Sequence, residues 1–487
     1  MSVLKDILYN VALLSVQGST DVRINTLQYD SRKIKKNDVF VAIKGVHSDG
    51  HSFINKAIEN GASVVVAESI PTTKAKNITY IEVESSSSAL AFMAANFYQH
   101  PSKNLKLVGV TGTNGKTTIT SLLFNLFKAA GYKVGLISTV KIMVDDRSYS
   151  TTHTTPDSLV INAYLKQMND VGVEFCFMEV SSHGIHQHRA EGLDFEGGIF
   201  TNLSHDHLDY HSSFAAYRDV KKSFFDGLPK TAFALTNADD KNGKIMLQNT
   251  KAKTYSYALK SYADYRTQIL ENHFKGLLLK INDSELWVKL IGSFNAYNLT
   301  AVFACADILG LKKDELLRLM STLENVSGRF EYFITANNIT VIVDYAHTPD
   351  ALKNVLQTIN DIRTQNENLI SVVGCGGDRD KTKRPKMGHI ASALSSKVIF
   401  TSDNPRSEDP EAIISEIEKG VEPQNYKKIM AITNRKKAIK TACQLANSND
   451  IILVAGKGHE SYQEIDGVRT EFNDYKVAQE CLNQLQK

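Results

Sequence analysis

Val110-Thr111-Gly112-Thr113-Asn114-Gly115-Lys116-Thr117-Thr118 joins an apolar run, Leu105–Val110, to an apolar-periodic stretch, Thr117–Ala130. Read as strand, glycine turn and helix, this segment decides the fold. Glycines let the backbone curl so that successive N–H groups, from Gly112 through Thr118, converge on a phosphate, and the helix N-terminus adds positive potential. Lys116 is spaced to reach the outer phosphates, and Thr117 to offer a hydroxyl to Mg²⁺. The pattern departs from the strict GxxxxGK[ST] form, whose first glycine would fall on Val110. A glycine turn that merely caps a helix is the plain alternative. The strand before it and the helix after it favour nucleotide binding.

Outward from this segment, strand candidates Val134–Ile137, Glu174–Val180 and Gly198–Leu203 alternate with helical stretches. Such alternation predicts a mainly parallel sheet with right-handed crossovers and helices on both faces. Short alternating strands are expected over 254–290 and a helix over Ala296–Leu309. A second βα series, Ile339–Val343, Leu369–Val373, Val398–Thr401 and Ile451–Val454, reads as a Rossmann-like doubly wound domain, with ligands beyond the carboxyl ends of its strands. Before residue 101, strands Val39–Ile43, Ser63–Ala67 and Thr79–Val83 and helices Phe53–Asn60 and Ala89–Tyr98 read as a smaller α/β domain. Ser85–Ser88 stands where an N-cap is wanted, and His100–Lys103 reads as a linker. The expected class is α/β with three domains, 1–101, 102–329 and 330–487.

The chain has 487 residues, enough for about three domains at roughly 150 residues each. Its 56 Lys+Arg nearly balance 53 Asp+Glu, for a net charge of +3. That excludes the concentrated basic charge of a dedicated nucleic-acid or membrane-surface protein. Five cysteines, none in CxxC spacing, argue against a disulfide framework or a cysteine zinc site. Lys5 and Asp6 interrupt the N-terminal apolar stretch, and no apolar run reaches the ~18–20 residues that span a bilayer. The expectation is a soluble, reduced, cytosolic protein with no nucleic-acid partner and no membrane insertion.

A phosphate loop alone does not name a reaction. Glu179 closes an apolar strand, and His207 and Asp209 follow another. A carboxylate and an imidazole beside Thr117 suit a divalent ion bridging phosphates. The histidines His183, His186, His188, His205, His207 and His211 invite a zinc reading, but no thiolate lies near, and for each one a surface or supporting role is the alternative.

The motifs TGTNGKTT (111–118), EVSSHGIHQHR (179–189), NLSHDHLDYH (202–211), GSFNAYN (292–298), SGRFE (327–331), DYAHTPD (344–350), GCGGDRDKTKRP (374–385), DNPR (403–406) and GKGHE (456–460) occur in one order along the chain. In this the sequence resembles the Mur ligases, which join amino acids to the muropeptide precursor of the bacterial cell wall, and among them the members that add the third residue. The resemblance implies an ADP-forming ligase whose three domains bind the UDP-sugar, the ATP and the amino acid in turn, with Mg²⁺ as cofactor. It implies catalytic roles for Lys116, Glu179, His207 and Lys221, with Thr117, Glu179, His207 and a carbamylated Lys221 as metal ligands. By its residues alone, Lys221 reads as the solvated face of a helix, with Lys222 as the adjacent alternative. A carbamate would turn that cation into an anion with hard oxygen donors.

The resemblance further implies ATP contacts at Asn295, Asn298, Arg329 and Asp344. UDP-muramoyl-peptide contacts would fall at Ser31, Val46, His47, Ser48, Thr154, Thr155, Ser181, Gln187 and Arg189. His153 stands where the family often has asparagine. Turn and cap chemistry is the alternative for each Asn and Ser. Arg379, Asp403, Asn404, Pro405, Arg406, Gly456 and Glu460 would take the amino acid. DNPR is associated with members that add diaminopimelate. A guanidinium at Arg406 can hold the distal carboxylate of meso-diaminopimelate, which lysine lacks. The expected substrates are therefore UDP-muramoyl-dipeptide, meso-diaminopimelate and ATP, and the enzyme is expected to be a monomer. The alternatives are a lysine-adding or dipeptide-adding ligase of the family, a folylpolyglutamate synthetase, and, from another class, a P-loop nucleotide switch.

Overall fold

Strand Lys106–Thr111 lies between two parallel neighbours, with Glu179 in register with Val110 on one side and Phe200 with Thr111 on the other. The computed structural model describes residues 2–45, 48–204, 206 and 210–487. They form two compact units: one of Met1–Gly112, Ile119–Thr201 and Ala215–Tyr255, the other of Thr113–Thr118, Asn202–Phe214 and Ser256–Lys487.

In the first unit the central strands run in the order Val134–Ile137, Phe175–Glu179, Lys106–Thr111, Gly197–Phe200, Phe233–Asn237, all parallel. From Lys106–Thr111 the chain crosses to one side, and later strands add on the other, so its carboxyl end is a switch point of the kind that binds ligands. The strands are mainly apolar, with polar residues such as Thr111, Glu179 and Asn237 at their carboxyl ends, because helices cover both faces. Phe127, for example, packs its ring 4.5 Å from that of Phe175. Gly109 and Gly198 lack a Cβ where one would come within 2.6 and 2.8 Å of the Phe224 ring. That closeness seats helix Phe214–Asp226 against the sheet. The hairpin Ile142–Val144 with Arg147–Tyr149, which the sequence reading did not anticipate, extends the edge antiparallel.

The same unit holds a 5-stranded sheet, in the order Leu13–Gln17, Thr79–Val83, Ala62–Ala67, Asp38–Val41, Leu27–Gln28. Period-2 alternation sends Val39, Val41, Val64 and Val66 to one core and Phe40, Val65 and Tyr80 to the other. Ser85 caps helix Ser86–Phe97, its Oγ accepting from Ser88 N at 3.3 Å, as its position suggested. The expected linker is instead a short 3₁₀ turn, Pro101–Asn104, with Pro101 and Ser102 buried.

The second unit carries the antiparallel strands Tyr265–His273, Gly276–Ile281 and Ser284–Val288, followed by helix Ser293–Ile308. Its 6-stranded sheet runs Glu331–Ile334, Thr340–Asp344, Ile451–Ala455, Leu369–Val373, Lys397–Phe400, Ile429–Ala431, with only the first strand antiparallel. Helices Pro349–Ile362, Lys383–Leu394 and Pro410–Glu418 pack on one face, and Arg435–Leu445 and Asp474–Gln484 on the other. This is the doubly wound arrangement the βα alternation predicted.

Candidate active site

The phosphate loop takes the form its glycines allow. Gly112 has φ +148° and Gly115 φ +90°, where a side chain is strained. Asn202 holds the loop from beneath: its Oδ1 accepts from Asn114 N at 3.0 Å, its Nδ2 donates to Asn114 O at 3.2 Å, and its own carbonyl accepts from Thr113 N at 2.8 Å. Ser204 N donates to Thr113 Oγ1 at 3.0 Å. Lys116 Nζ donates to Thr113 O at 2.8 Å, curled along the loop it belongs to. Thr113, Thr117 and Thr118 are buried. Arg329 donates to Thr117 Oγ1 at 3.1 Å, while its guanidinium lies 4.7 Å from the Tyr345 ring centre.

Lys221 is not a solvated side chain. It is 1% exposed, and Nζ donates to Gly112 O at 3.0 Å and lies 4.8 Å over the Tyr217 ring. Lys222, the alternative, pairs with Asp226 one turn on, at 2.7 Å. Geometry thus separates two lysines that the sequence left adjacent.

Glu179 is fully buried, accepting from Thr139 N at 2.8 Å and Thr139 Oγ1 at 3.1 Å. Thr139 also bonds Thr154 Oγ1, at 3.1 Å. Thr155 Oγ1 donates to Glu179 O at 2.9 Å and lies 3.0 Å from Ser181 Oγ. Ser181 caps helix Ser182–His186, and Arg189 donates to Thr155 O at 2.6 Å and to Gln187 Oε1 at 2.7 Å. Glu179, Thr154, Thr155, Ser181, Gln187 and Arg189 therefore form one polar cluster. Tyr29 donates to Asp157 Oδ2 at 3.1 Å, and partial desolvation together with that carboxylate pushes its phenol up to about 12. Burial and Arg189 hold the His153 imidazole below its ordinary range. Ser31 is buried in the 3₁₀ turn Ser31–Lys33, and its carbonyl accepts from Asn60 at 2.8 Å. Ser48 is exposed, its carbonyl accepting from Gly45 N at 2.9 Å. Val46, His47 and His207 lie outside the described residues, as do His205 and Asp209.

In the second unit, Asn295 and Asn298 are bonded to each other at 3.0 Å on helix Ser293–Ile308. Asp344 accepts from Phe330 N at 2.7 Å, and burial pushes its carboxyl up to about 6. His347 and His459 are half-buried, and desolvation lowers their imidazoles to about 4 and about 3, with Lys383 and Arg329 respectively the next largest cause.

Loops 374–377 and 403–406 are stitched together beyond the strand ends. Gly377 N donates to Asn404 O at 2.9 Å, and Arg406 Nη1 donates to Gly377 O at 2.6 Å. A Cβ on Gly377 would fall 1.9 Å from Pro405 O, and one on Gly456 would fall 2.4 Å from Asp403 Oδ2, so both loops need glycine there. Asn404 Nδ2 donates to Glu460 Oε2 at 2.7 Å. Arg379 is exposed and donates to Asp378 O at 3.1 Å, outside the Asn404–Glu460 cluster, although it and Arg406 both flank Gly376. Thr139, Asn202, Tyr29, Asp157 and Lys457 carry contacts in these clusters that the sequence reading did not assign. Asn202 and Lys457 lie inside quoted motifs, so motif membership was the available signal. Among the described residues no group of three His, Cys, Asp or Glu side chains is placed to hold a metal, and all five cysteines are free and buried. No described helix is long and apolar enough to cross a membrane.

Family models match along the chain: "Mur ligase family, catalytic domain" at residues 23–98, "Mur ligase middle domain" at 110–306, and "Mur ligase, glutamate ligase domain" at 328–458. The UDP-N-acetylmuramoyl-L-alanyl-D-glutamate–2,6-diaminopimelate ligase of Cytophaga hutchinsonii is 52% identical over 99% of this chain and 100% of its own length. The ligase of the same name from Phocaeicola vulgatus is 50% identical over 98% and 99%. A solved structure bearing that enzyme's name superposes with a TM-score of 0.71 at 30% identity, covering 100% of this chain and 99% of the other.

Proposed function

The chain belongs to the Mur ligase family, and on that premise we propose that it joins meso-2,6-diaminopimelate to UDP-N-acetylmuramoyl-L-alanyl-D-glutamate, converting ATP to ADP and phosphate, in the making of peptidoglycan precursor. The observation that carries this reading is the likeness, at 52% identity over 99% of the chain, to a relative named for that reaction. We further read the chain as a monomeric cytoplasmic enzyme of three domains, 1–101 for the UDP-sugar, 102–329 for ATP and 330–487 for the amino acid.

A carboxylate and an amine form an amide only if the departing oxygen is made a better leaving group. Transfer of the γ-phosphoryl of ATP to the muropeptide carboxylate does this, giving an acyl phosphate and ADP. The amine then attacks, and the tetrahedral intermediate expels phosphate. The first step brings two anions together, so positive charge and oriented N–H groups must meet them. In this reading Lys116 and the N–H groups from Gly112 to Thr118 hold the outer phosphates, with Arg329, Asp344, Asn295 and Asn298 completing the ATP site. Thr154, Thr155, Ser181, Gln187 and Arg189, with Ser31, Val46, His47 and Ser48, hold the UDP-muramoyl-peptide. Arg379, Asp403 to Arg406, Gly456 and Glu460 take the diaminopimelate.

The donor chemistry fits Mg²⁺: Thr117 offers a hydroxyl and Glu179 a carboxylate, both hard oxygens, with His207 as a further ligand. Bound there, the ion would neutralise charge on the phosphates. Lys221 as an amine offers a cation nothing; as a carbamate it offers two oxygens. Its burial against Gly112 O supports its assignment over Lys222.

Phosphate release tests the reaction class. Release is expected only with ATP, UDP-muramoyl-dipeptide and diaminopimelate all present. Equal ATP hydrolysis without either acceptor would favour the nucleotide-switch alternative and overturn this reading.

A further inference from the structure

Lys457 is fully buried, and its ammonium touches two side chains that take the amino acid in the reading above, on which this inference rests. Nζ donates to Asn404 Oδ1 at 2.9 Å and to Glu460 Oε2 at 3.1 Å. Asn404 Nδ2 donates to the same Glu460 oxygen at 2.7 Å, closing a triangle. Glu464 N adds a second donor to Asn404 Oδ1 at 3.0 Å. With two donors on that oxygen the amide has one orientation, because turned over it would set its NH₂ against an ammonium and a backbone N–H. Gly456 and Gly458, at φ +117° and +51°, flank the lysine in backbone that glycine favours. The Tyr462 ring lies 5.4 Å from Nζ, a further cation–π partner.

The charges around Glu460 give this lysine its purpose. Burial and Asp403 push the carboxyl up, while Lys457 and Asn404 pull it down. Tyr345, Tyr462, Arg435 and Arg469 also face it electrostatically. Both arginines are committed elsewhere: Arg435 pairs with buried Asp474 at 2.7 Å, and Arg469 with Glu464 at 2.9 Å. Among the described residues, Lys457 is the cation in direct contact with Glu460. A partly buried carboxylate beside Asp403 without that contact would tend to take up a proton, and a neutral acid attracts an incoming ammonium far less.

We propose that Lys457 is a positioning residue for amino-acid recognition, fixing the Asn404 amide in one orientation and keeping Glu460 ionised to receive the ammonium of the incoming amino acid.

The test compares wild type, Lys457→Met and Lys457→Arg with meso-diaminopimelate as the varied substrate, then ATP, across pH. In Lys457→Met the KM for diaminopimelate should rise roughly tenfold or more, as befits losing a charge-assisted contact. The KM for ATP should stay within about twofold. The acid limb of kcat/KM for diaminopimelate should move to higher pH, because Glu460 loses the cation that favours its charged form. Lys457→Arg should restore much of the limb. A folded Met variant with the wild-type acid limb, or with equal rises in both KM values, overturns the proposal. Should the Met variant not fold, Lys457→Gln, which keeps a donor for Asn404 but no charge, is read by the same criteria. Wild type inactive with diaminopimelate would remove the functional reading itself, a separate outcome.

Discussion

Replacing Asn202 probes the phosphate loop without touching a residue proposed to contact ATP. Its amide accepts from Asn114 N at 3.0 Å and donates to Asn114 O at 3.2 Å, clamping both sides of one peptide. The third bond, from Thr113 N, uses the Asn202 carbonyl and survives substitution. Asn202→Ala therefore deletes two hydrogen bonds at about 0.5–1.5 kcal/mol each, or about 1–3 kcal/mol of loop order. If only the ordered loop binds ATP, kcat/KM for ATP should fall roughly 5- to 150-fold, with kcat at saturation less affected. Asn202→Asp sharpens the test. One carboxylate oxygen can still accept from Asn114 N, but the other faces the Asn114 carbonyl and adds a negative charge beneath a phosphate site. The aspartate should therefore be worse than the alanine, although it is closer in shape. Steady-state kinetics with ATP varied, alongside thermal melts to confirm folding, reads the order directly. An aspartate variant milder than the alanine, or an alanine variant with wild-type kcat/KM, would refute the clamp.

Lys116→Ala should abolish turnover while leaving the melting temperature near wild type, and near-normal turnover in a folded variant would remove its proposed role. Lys221→Ala should be inactive and regain part of its activity with formate or acetate, checked together with intact mass for a carbamate on the wild type; an unmodified, dispensable Lys221 would contradict the assignment. Arg435→Met strands Asp474 in the core, where both partners are 0% exposed, and should cost about 3–5 kcal/mol in denaturant melts. His347 and His459 are held neutral below their ordinary 6.5, to about 4 and about 3, so the unfolded chain binds more protons across that window. Their stabilisation is present above pH 6.5 and is lost as pH falls. Asp344, pushed up to about 6, works in the opposite sense. Melting temperature should fall between pH 6.5 and 4, and His459→Asn should flatten that fall.

What the sequence made legible were features with local pattern. Thr111–Thr118 could be read because its glycines lie between an apolar strand and a periodic helix, and both parallel sheets follow from βα alternation. Hairpins Ile142–Val144 with Arg147–Tyr149, and Tyr462–Ile465 with Val468–Glu471, were not foreseen, since strands of three or four residues carry too little periodicity. The same holds for lone side chains whose partners are distant in sequence. Nothing around Thr139 says that it will hold Glu179, and nothing links Tyr29 to Asp157 before the chain folds. Lys221 shows the converse: helical position alone suggests solvent, yet its helix packs closely on the sheet at Gly109 and Gly198 and its amine donates to Gly112 O.

The identity of the amino acid joined is read from a competition between the two candidate substrates. The wild-type enzyme is supplied with ATP, UDP-N-acetylmuramoyl-L-alanyl-D-glutamate and equimolar meso-diaminopimelate and lysine, and product masses are read. The diaminopimelate adduct should dominate by at least about tenfold, from the extra charge-assisted contact at Arg406. Equal amounts of the lysine adduct would contradict it.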